Sequence, residues 1–413
     1  MSFFGELIST IFEQQYHQAL SEEVDDRTTF DLCDALLSSH GEVSGTALAR
    51  NLLDRYRAMD LDERKAFFEL ITHKLEIKPN VVTKTLRAYQ QKPSKGTYSA
   101  FAQACEPRRQ ELARRLNQVP GATAQLVAMR KDLLGMIKKR PDLEPLDVDL
   151  KHLFSSWFNR GFLVLRPINW SSPADILEKI IAYEAVHAIV SWDDLRLRLK
   201  PSDRRCFGFF HPAMADEPLI FVEVALTKGI PNSIQGLLAN DRAEIEAKDA
   251  DTAVFYSISN CQVGLAGISF GNSLIKQVVS DLSKELPSLK TFVTLSPIPG
   301  LNRWLKSNEG KGKRINDHQK IAAHYLLKAK RPDGMPVDPV ARFHLGNGAL
   351  VHAVHAEADT SVNGLKQSNG TMVNYLYDLQ QISLNHEQFV SKKTVVASEA
   401  VSTLSAAVEN VGV

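Results

Sequence analysis

A chain of 413 residues is too long for one comfortable core, so two or three domains are expected. Its 44% hydrophobic and 23% charged content is that of an ordinary globular protein. The 49 basic and 48 acidic residues leave a formal charge of +1, which gives no support to a nucleic-acid or membrane-surface role resting on overall charge.

No window holds the roughly 18 apolar residues that a membrane span needs. Cys33, Cys105, Cys206 and Cys261 are far apart, without a CxxC or a metal-ligand pairing, and are expected to be buried or free thiols in a reducing compartment. The amino-terminal MSFFGELISTIFEQQYHQ has an apolar start but no basic n-region and no small-residue cleavage site. The final ENVGV lacks a peroxisomal tripeptide. The cytoplasm is the expected compartment.

Residues 1–160 read as successive helices. Asp60-Leu-Asp-Glu63 is a capping box, in which Asp60 accepts from the N3 amide and Glu63 reaches back. Behind it, Phe67, Ile71 and Leu75 recur every four residues as one apolar stripe. Leu126, Arg130, Leu133, Leu134 and Ile137 form a similar segment, stopped by Pro141. Another carries Leu150, Phe154, Trp157 and Phe158 and ends at Gly161, a C′ glycine. No catalytic constellation stands here, and this domain is expected to be a packing or oligomerisation module.

From residue 161 to 413 the pattern is mixed α/β. Phe162–Arg166 reads as a strand, and Ser172-Pro173 supplies an N-cap and N1 proline for a helix through about His187. Cys206–Phe210 and Leu219–Ala225 flank HPAMADEP and predict an antiparallel hairpin with a long loop. Ala253–Ile258 is a further strand, followed by a helix from about Gly271 to Leu286 and a strand at Thr291–Leu295. Ser307–Arg314 is the one flexible-looking stretch.

Three stretches could carry chemistry. The first is Asn260–Ser273, with Gly264, Gly267 and Gly271 between a strand and a helix start, where free N–H groups and the helix dipole form a pyrophosphate cradle. It is neither a P-loop nor a good dinucleotide fingerprint. Gln262-Val-Gly264-Leu-Ala266 instead resembles the coenzyme-A loop of the N-acetyltransferase superfamily. The second stretch is Thr294-Leu-Ser-Pro-Ile-Pro-Gly300, with Ser296 at a strand end that the prolines at 297 and 299 terminate. It is not a G-x-S-x-G elbow, which weighs against an α/β-hydrolase. The third runs from Asp338 to Leu350, where Pro339 starts a short helix bearing His344.

HPAM-x-DEPLIFVEVALT, SPIPG, F-H-L-x-N-G-A and NGTMVNYLYD, in this order, resemble the malonyl-CoA decarboxylase family, over about Phe158 to Asp378. The resemblance implies a helical oligomerisation domain before an acetyltransferase-like catalytic domain, assembling as a dimer or tetramer. It implies a Ser–His pair at Ser296 and His344, and an acyl-CoA site made by Ala266, Gly267, Ile268, Ser269, Phe270, Gly271 and Asn272. Some members have Glu where Ser269 stands, which leaves a carboxylate role there unsupported.

A malonyl thioester is its own electron sink, so the implied reaction, malonyl-CoA to acetyl-CoA and carbon dioxide, calls for no metal or organic cofactor; coenzyme A belongs to the substrate. It does need donors for the growing oxyanion and a proton for the enolate carbon. His344 is the expected proton donor, and Ser296 the partner that bonds the malonyl carboxylate. Tyr375 and Tyr377 share one face if strand-borne, with Tyr375 preferred; His211 and Ser257 are further candidates for the cavity wall. His352 and His355 fall on opposite faces of a regular strand, so no metal site is expected there. An acyl-CoA-dependent N-acyltransferase and a non-catalytic acyl-CoA sensor are the competing functions.

Overall fold

The computed structural model describes residues 25–39, 41–268, 274–307 and 317–409. They form two compact units: the part up to Trp157 together with Val263–Ile268, and the remainder from Phe158 onward.

The first unit is helical. The capping box is present at the helix Leu61–Lys74, with the Glu63 N–H 2.9 Å from Asp60 Oδ1 and the Asp60 N–H 2.9 Å from Glu63 Oε2. Phe67, Ile71 and Leu75 are buried, as their spacing demands. The helix Ala122–Ile137 buries Leu126 and Leu133, but also Arg130, which sits in the middle of the apolar stripe. That charge is tolerated because its guanidinium is paired and bonded: Nε donates to Asp147 at 2.7 Å, and Nη1 to the carbonyls of Gly264 at 2.7 Å and Ala266 at 3.1 Å. The turn Val263–Leu265 thus packs with this unit.

The second unit is a mixed sheet clothed by helices. Its strands are β1 Val164–Ile168, β2 Arg204–His211, β3 Met214–Thr227, β4 Thr252–Asn260, β5 Thr291–Thr294, β6 Ser296–Pro297, β7 Leu350–His355 and β8 Met372–Leu376. The order is β1-β2-β3-β4-β5-β8-β6, with β7 also paired to β8, and every pairing is antiparallel except β4 with β5. The helix Leu274–Glu285 makes that parallel crossover, packing Ile275, Val278, Val279 and Leu282 into the main core. A helical region followed by a mixed α/β domain is therefore the fold class, as the alternation of elements predicts.

Three local features differ from the sequence pattern. The helix after Pro173 ends at Tyr183 because the Glu184 carboxylate takes the N–H groups of Val186 and His187, at 2.8 and 2.7 Å, and turns the chain. The β2–β3 connection is tight rather than long: His211 pairs with Met214, and register shifts around Phe210 absorb the irregular MADEP stretch into β3. A bulge between Val351 and Ala353 breaks the alternation of β7, so Val351 and Val354 are both buried while His352 and His355 are both half-exposed. All four cysteines are free; Cys33, Cys206 and Cys261 are buried and Cys105 is exposed.

Candidate active site

Thr294 and Ser296 are two residues apart in extended chain, so their side chains share a face. The Ser296 hydroxyl donates to Thr294 Oγ1 at 2.8 Å. β5 ends at Thr294, and Ser296 instead opens the two-residue β6, in which Ser296 and Pro297 pair with Val373 and Met372 of β8. His344 arrives from the other direction, on the helix Pro339–Gly346. Asp338 caps that helix, its Oδ1 accepting from the N–H groups of Val340 and Ala341, each at 2.9 Å.

These elements bring His344 Nε2 to 3.2 Å from Ser296 Oγ, with both side chains buried. Tyr377 Oη lies 2.7 Å from Nδ1 of the same ring. Tyr375 stacks on its face, with ring centroids 4.6 Å apart and an interplanar angle of 23°. The two tyrosines do flank one side of β8, but the bonding hydroxyl belongs to Tyr377, not the favoured Tyr375. Because the Ser296 proton is directed at Thr294, the Ser296–His344 contact is donated by Nε2–H. Nδ1 then accepts from Tyr377.

Burial alone pushes the His344 pKa down to about 3, so the imidazole is neutral near pH 7. Burial likewise raises the phenols of Tyr375 and Tyr377, which stay protonated and able to donate. Ser296 and His344 open onto a cavity of about 260 Å³ whose walls include Phe255, Ile258, Val340 and Phe343. A groove of about 520 Å³ in the helical unit, lined by Leu61, Lys65, Lys131, Met136 and Lys139, is larger but has neither serine nor histidine in its lining. The smaller cavity is the candidate active site.

The remaining sequence candidates fall elsewhere. A register shift between Glu223 and Val224 leaves Tyr256 as an extra residue in β4, and Tyr256 lines the cavity. Ser257 instead donates to the Glu184 carboxylate, 2.7 Å from Oε2, and is no part of the lining. His211 closes the β2–β3 turn, accepting the Ala213 N–H on Nδ1 at 3.2 Å with its ring against Phe158. It too lies outside the cavity wall.

Ala266, Gly267 and Ile268 follow the turn held by Arg130. A Cβ at Gly264 would collide with the Val127 carbonyl oxygen, so this glycine is required for helix packing. Gly267 has φ +75°, and a Cβ there would stand 3.3 Å from Lys151 Nζ. Ser269, Phe270, Gly271 and Asn272 lie outside the described residues.

Residues 76–158 match the sequence profile of the malonyl-CoA decarboxylase N-terminal domain, and residues 161–320 and 311–411 that of the malonyl-CoA decarboxylase C-terminal domain. The chain belongs to the malonyl-CoA decarboxylase family. The mitochondrial malonyl-CoA decarboxylase of Anser anser anser is 35% identical over 348 residues, covering 71% of this chain and 69% of that protein. The crystal structure of malonyl-CoA decarboxylase from Rhodopseudomonas palustris superposes with a TM-score of 0.86 at 48% identity, over 91% of this chain and 98% of the other. The corresponding structure from Cupriavidus metallidurans gives a TM-score of 0.72 at 36% identity, again over 91% of this chain and 98% of the other. Malonyl-CoA decarboxylases are carboxy-lyases, and membership in this family makes the chain an enzyme of that class.

Proposed function

We propose that this enzyme converts malonyl-CoA into acetyl-CoA and carbon dioxide, using Ser296 to bind the malonyl carboxylate and His344 to protonate the enolate carbon. The observation that carries the proposal is the 3.2 Å contact between Ser296 Oγ and His344 Nε2 at the edge of an apolar cavity. The incoming carboxylate supplies a negative partner for the ring, and so raises the His344 pKa and draws a proton onto it from solvent. The Ser296 proton, directed at Thr294, is the one offered to that carboxylate. Walls such as Phe255 and Val340 solvate a localised carboxylate poorly and neutral carbon dioxide well. The C–C bond then breaks, its electron pair passes into the thioester as an enolate, and the His344 proton closes the new C–H bond.

Coenzyme A is assigned to Ala266–Asn272, where Lys151 beside Gly267 adds a cation suited to a phosphate. No metal or organic cofactor takes part in this scheme. Assembly as a dimer or tetramer through the helical unit belongs to the same proposal. It is supported by the helices Pro79–Gln91 and Lys95–Cys105, which touch through the rings of Tyr89, Tyr98 and Phe101 yet bury no side chain. Among the described residues no helix is long and apolar enough to cross a membrane, and the cytoplasm is the compartment we assign.

The deciding experiment is mass spectrometry of the products formed from malonyl-CoA by purified protein without additives, run in heavy water. The proposal requires acetyl-CoA carrying one deuterium in its methyl group. Turnover only with an added amine acceptor would identify an N-acyltransferase. Tight binding without turnover would identify an acyl-CoA sensor.

A further inference from the structure

The helix that carries His344 and the turn that follows Ser296 come from distant parts of the sequence, yet one buried side chain stands where they meet. Asp338 is only 1% exposed. Its Oδ1 is committed to the first turn of the helix Pro339–Gly346, through the N–H groups of Val340 and Ala341. Its Oδ2 is buried, as is Tyr325 Oη, and the two groups act on each other: burial raises the phenol, and the carboxylate raises it further by charge and by hydrogen bonding. Both atoms face Gly300, the last residue of Ser296-Pro-Ile-Pro-Gly300: a Cβ at that position would collide with Tyr325 Oη and stand 3.5 Å from Asp338 Oδ2. Burial pushes the Asp338 carboxyl upward, while the backbone N–H groups of Ala341, Gly300 and Val340 act the other way.

We infer that Asp338 is a positioning residue for the Ser296–His344 pair, with one oxygen fixing the helix under His344 and the other bearing on the turn behind Ser296. The inference rests on the proposed roles of that pair. The two prolines between Ser296 and Gly300 have fixed φ angles, so a shift at Gly300 is transmitted to Ser296 rather than absorbed. His344 lies in the second turn of a short helix whose first turn Asp338 anchors. Loss of the second oxygen therefore opens the Ser296–His344 contact without touching the substrate.

Asp338→Ser tests this, because serine caps a helix about as well as aspartate but cannot reach the Gly300 turn. In the full-length protein it should melt close to wild type, change KM by less than about threefold and lower kcat about 10- to 100-fold, the scale of a misplaced reacting group. Asp338→Asn keeps one oxygen for the cap but sets an amide NH2 against the Gly300 N–H, so it should lower kcat as Asp338→Ser does, again with KM little changed. In a Ser296→Ala/His344→Asn background, Asp338→Ser should add almost nothing, since it acts only through the pair. Wild-type kcat in Asp338→Ser or in Asp338→Asn, or a full additional loss in the double-mutant background, would each overturn the inference. If Asp338→Ser does not fold, Tyr325→Phe decides: lowered kcat at unchanged KM supports the tie, and wild-type kcat refutes it. The parent reading fails separately, when Ser296→Ala and His344→Asn themselves keep wild-type activity.

Discussion

Tyr377 Oη stands 2.7 Å from His344 Nδ1, while Ser296 Oγ holds the opposite nitrogen of the same ring. This pairing dictates which nitrogen carries the proton of the neutral imidazole, and points it at the cavity. Removing the hydroxyl by Tyr377→Phe should release the ring to the other tautomer. A lost neutral hydrogen bond is worth about 0.5–1.5 kcal/mol, so kcat should fall about two- to tenfold with KM little changed. Steady-state kinetics with malonyl-CoA checks this, and an unchanged kcat would show that Tyr377 only fills space.

His344→Asn should lower kcat about 10²- to 10⁴-fold, the usual contribution of a general acid. KM should change little if coenzyme A is held elsewhere. Ser296→Ala removes a bond to a charged carboxylate, worth roughly 1.5–3 kcal/mol, or about one to two decades in kcat/KM. The double mutant should lose less than the product of the single losses. Wild-type turnover by His344→Asn would make it a structural histidine.

Stability should depend on pH through two buried groups away from the cavity pair. Burial, reinforced by the Glu184 charge, raises the Glu223 pKa from 4.5 to about 8, against the pull of Arg198. The folded state keeps a proton there that the unfolded chain releases, so this contribution is complete below about pH 4.5 and is lost as pH rises through about 8. His187 acts oppositely: burial lowers its pKa from 6.5 to about 4, and its contribution is lost as pH falls through that range. Stability from urea unfolding should stay nearly level from pH 5 to about 6.5, where the two groups oppose each other, and fall from there to about pH 8, with a Glu223 slope of no more than about 1.4 kcal/mol per pH unit. Glu223→Gln should flatten that slope; an unaltered profile would assign it to other groups.

Activity should survive exhaustive dialysis against EDTA, because the thioester itself accepts the electron pair. Among the described residues, no three or more His, Cys, Asp or Glu side chains gather as a metal site. Loss of activity on chelation, restored by one metal ion, would sink the mechanism.

The sequence conveyed the parts of this architecture that depend on neighbours along the chain. The Asp60–Glu63 box, the burial of Phe67 and Ile71, and the short helix beginning at Pro339 follow from local spacing and capping. Ser296 and His344 stood out through their motifs, and the structure brings them into contact. Features set by distant partners stayed hidden. Arg130 reads as an outlier in an apolar stripe until the carbonyls of Gly264 and Ala266 are seen against it. Ser257 is a candidate for the lining only as a polar residue on a strand, and the bulge at Tyr256 and the Glu184 carboxylate that holds its hydroxyl are not legible locally. Strand parity put Tyr375 and Tyr377 on one side, but only the approach of the imidazole decides which hydroxyl it meets.

Three of the four thiols lie under packed side chains. Burial pushes Cys33 up to about 12 and holds Cys206 and Cys261 well above the ordinary thiol range. Alkylating dyes react with thiolates, so these three should stay dark at neutral pH. Cys105, exposed at the end of the helix Lys95–Cys105, is left as the one attachment point. The unmodified protein is thus ready for single-site fluorescent tagging, and quenching or shielding of that tag as concentration rises would show copies meeting on the face that the helix presents.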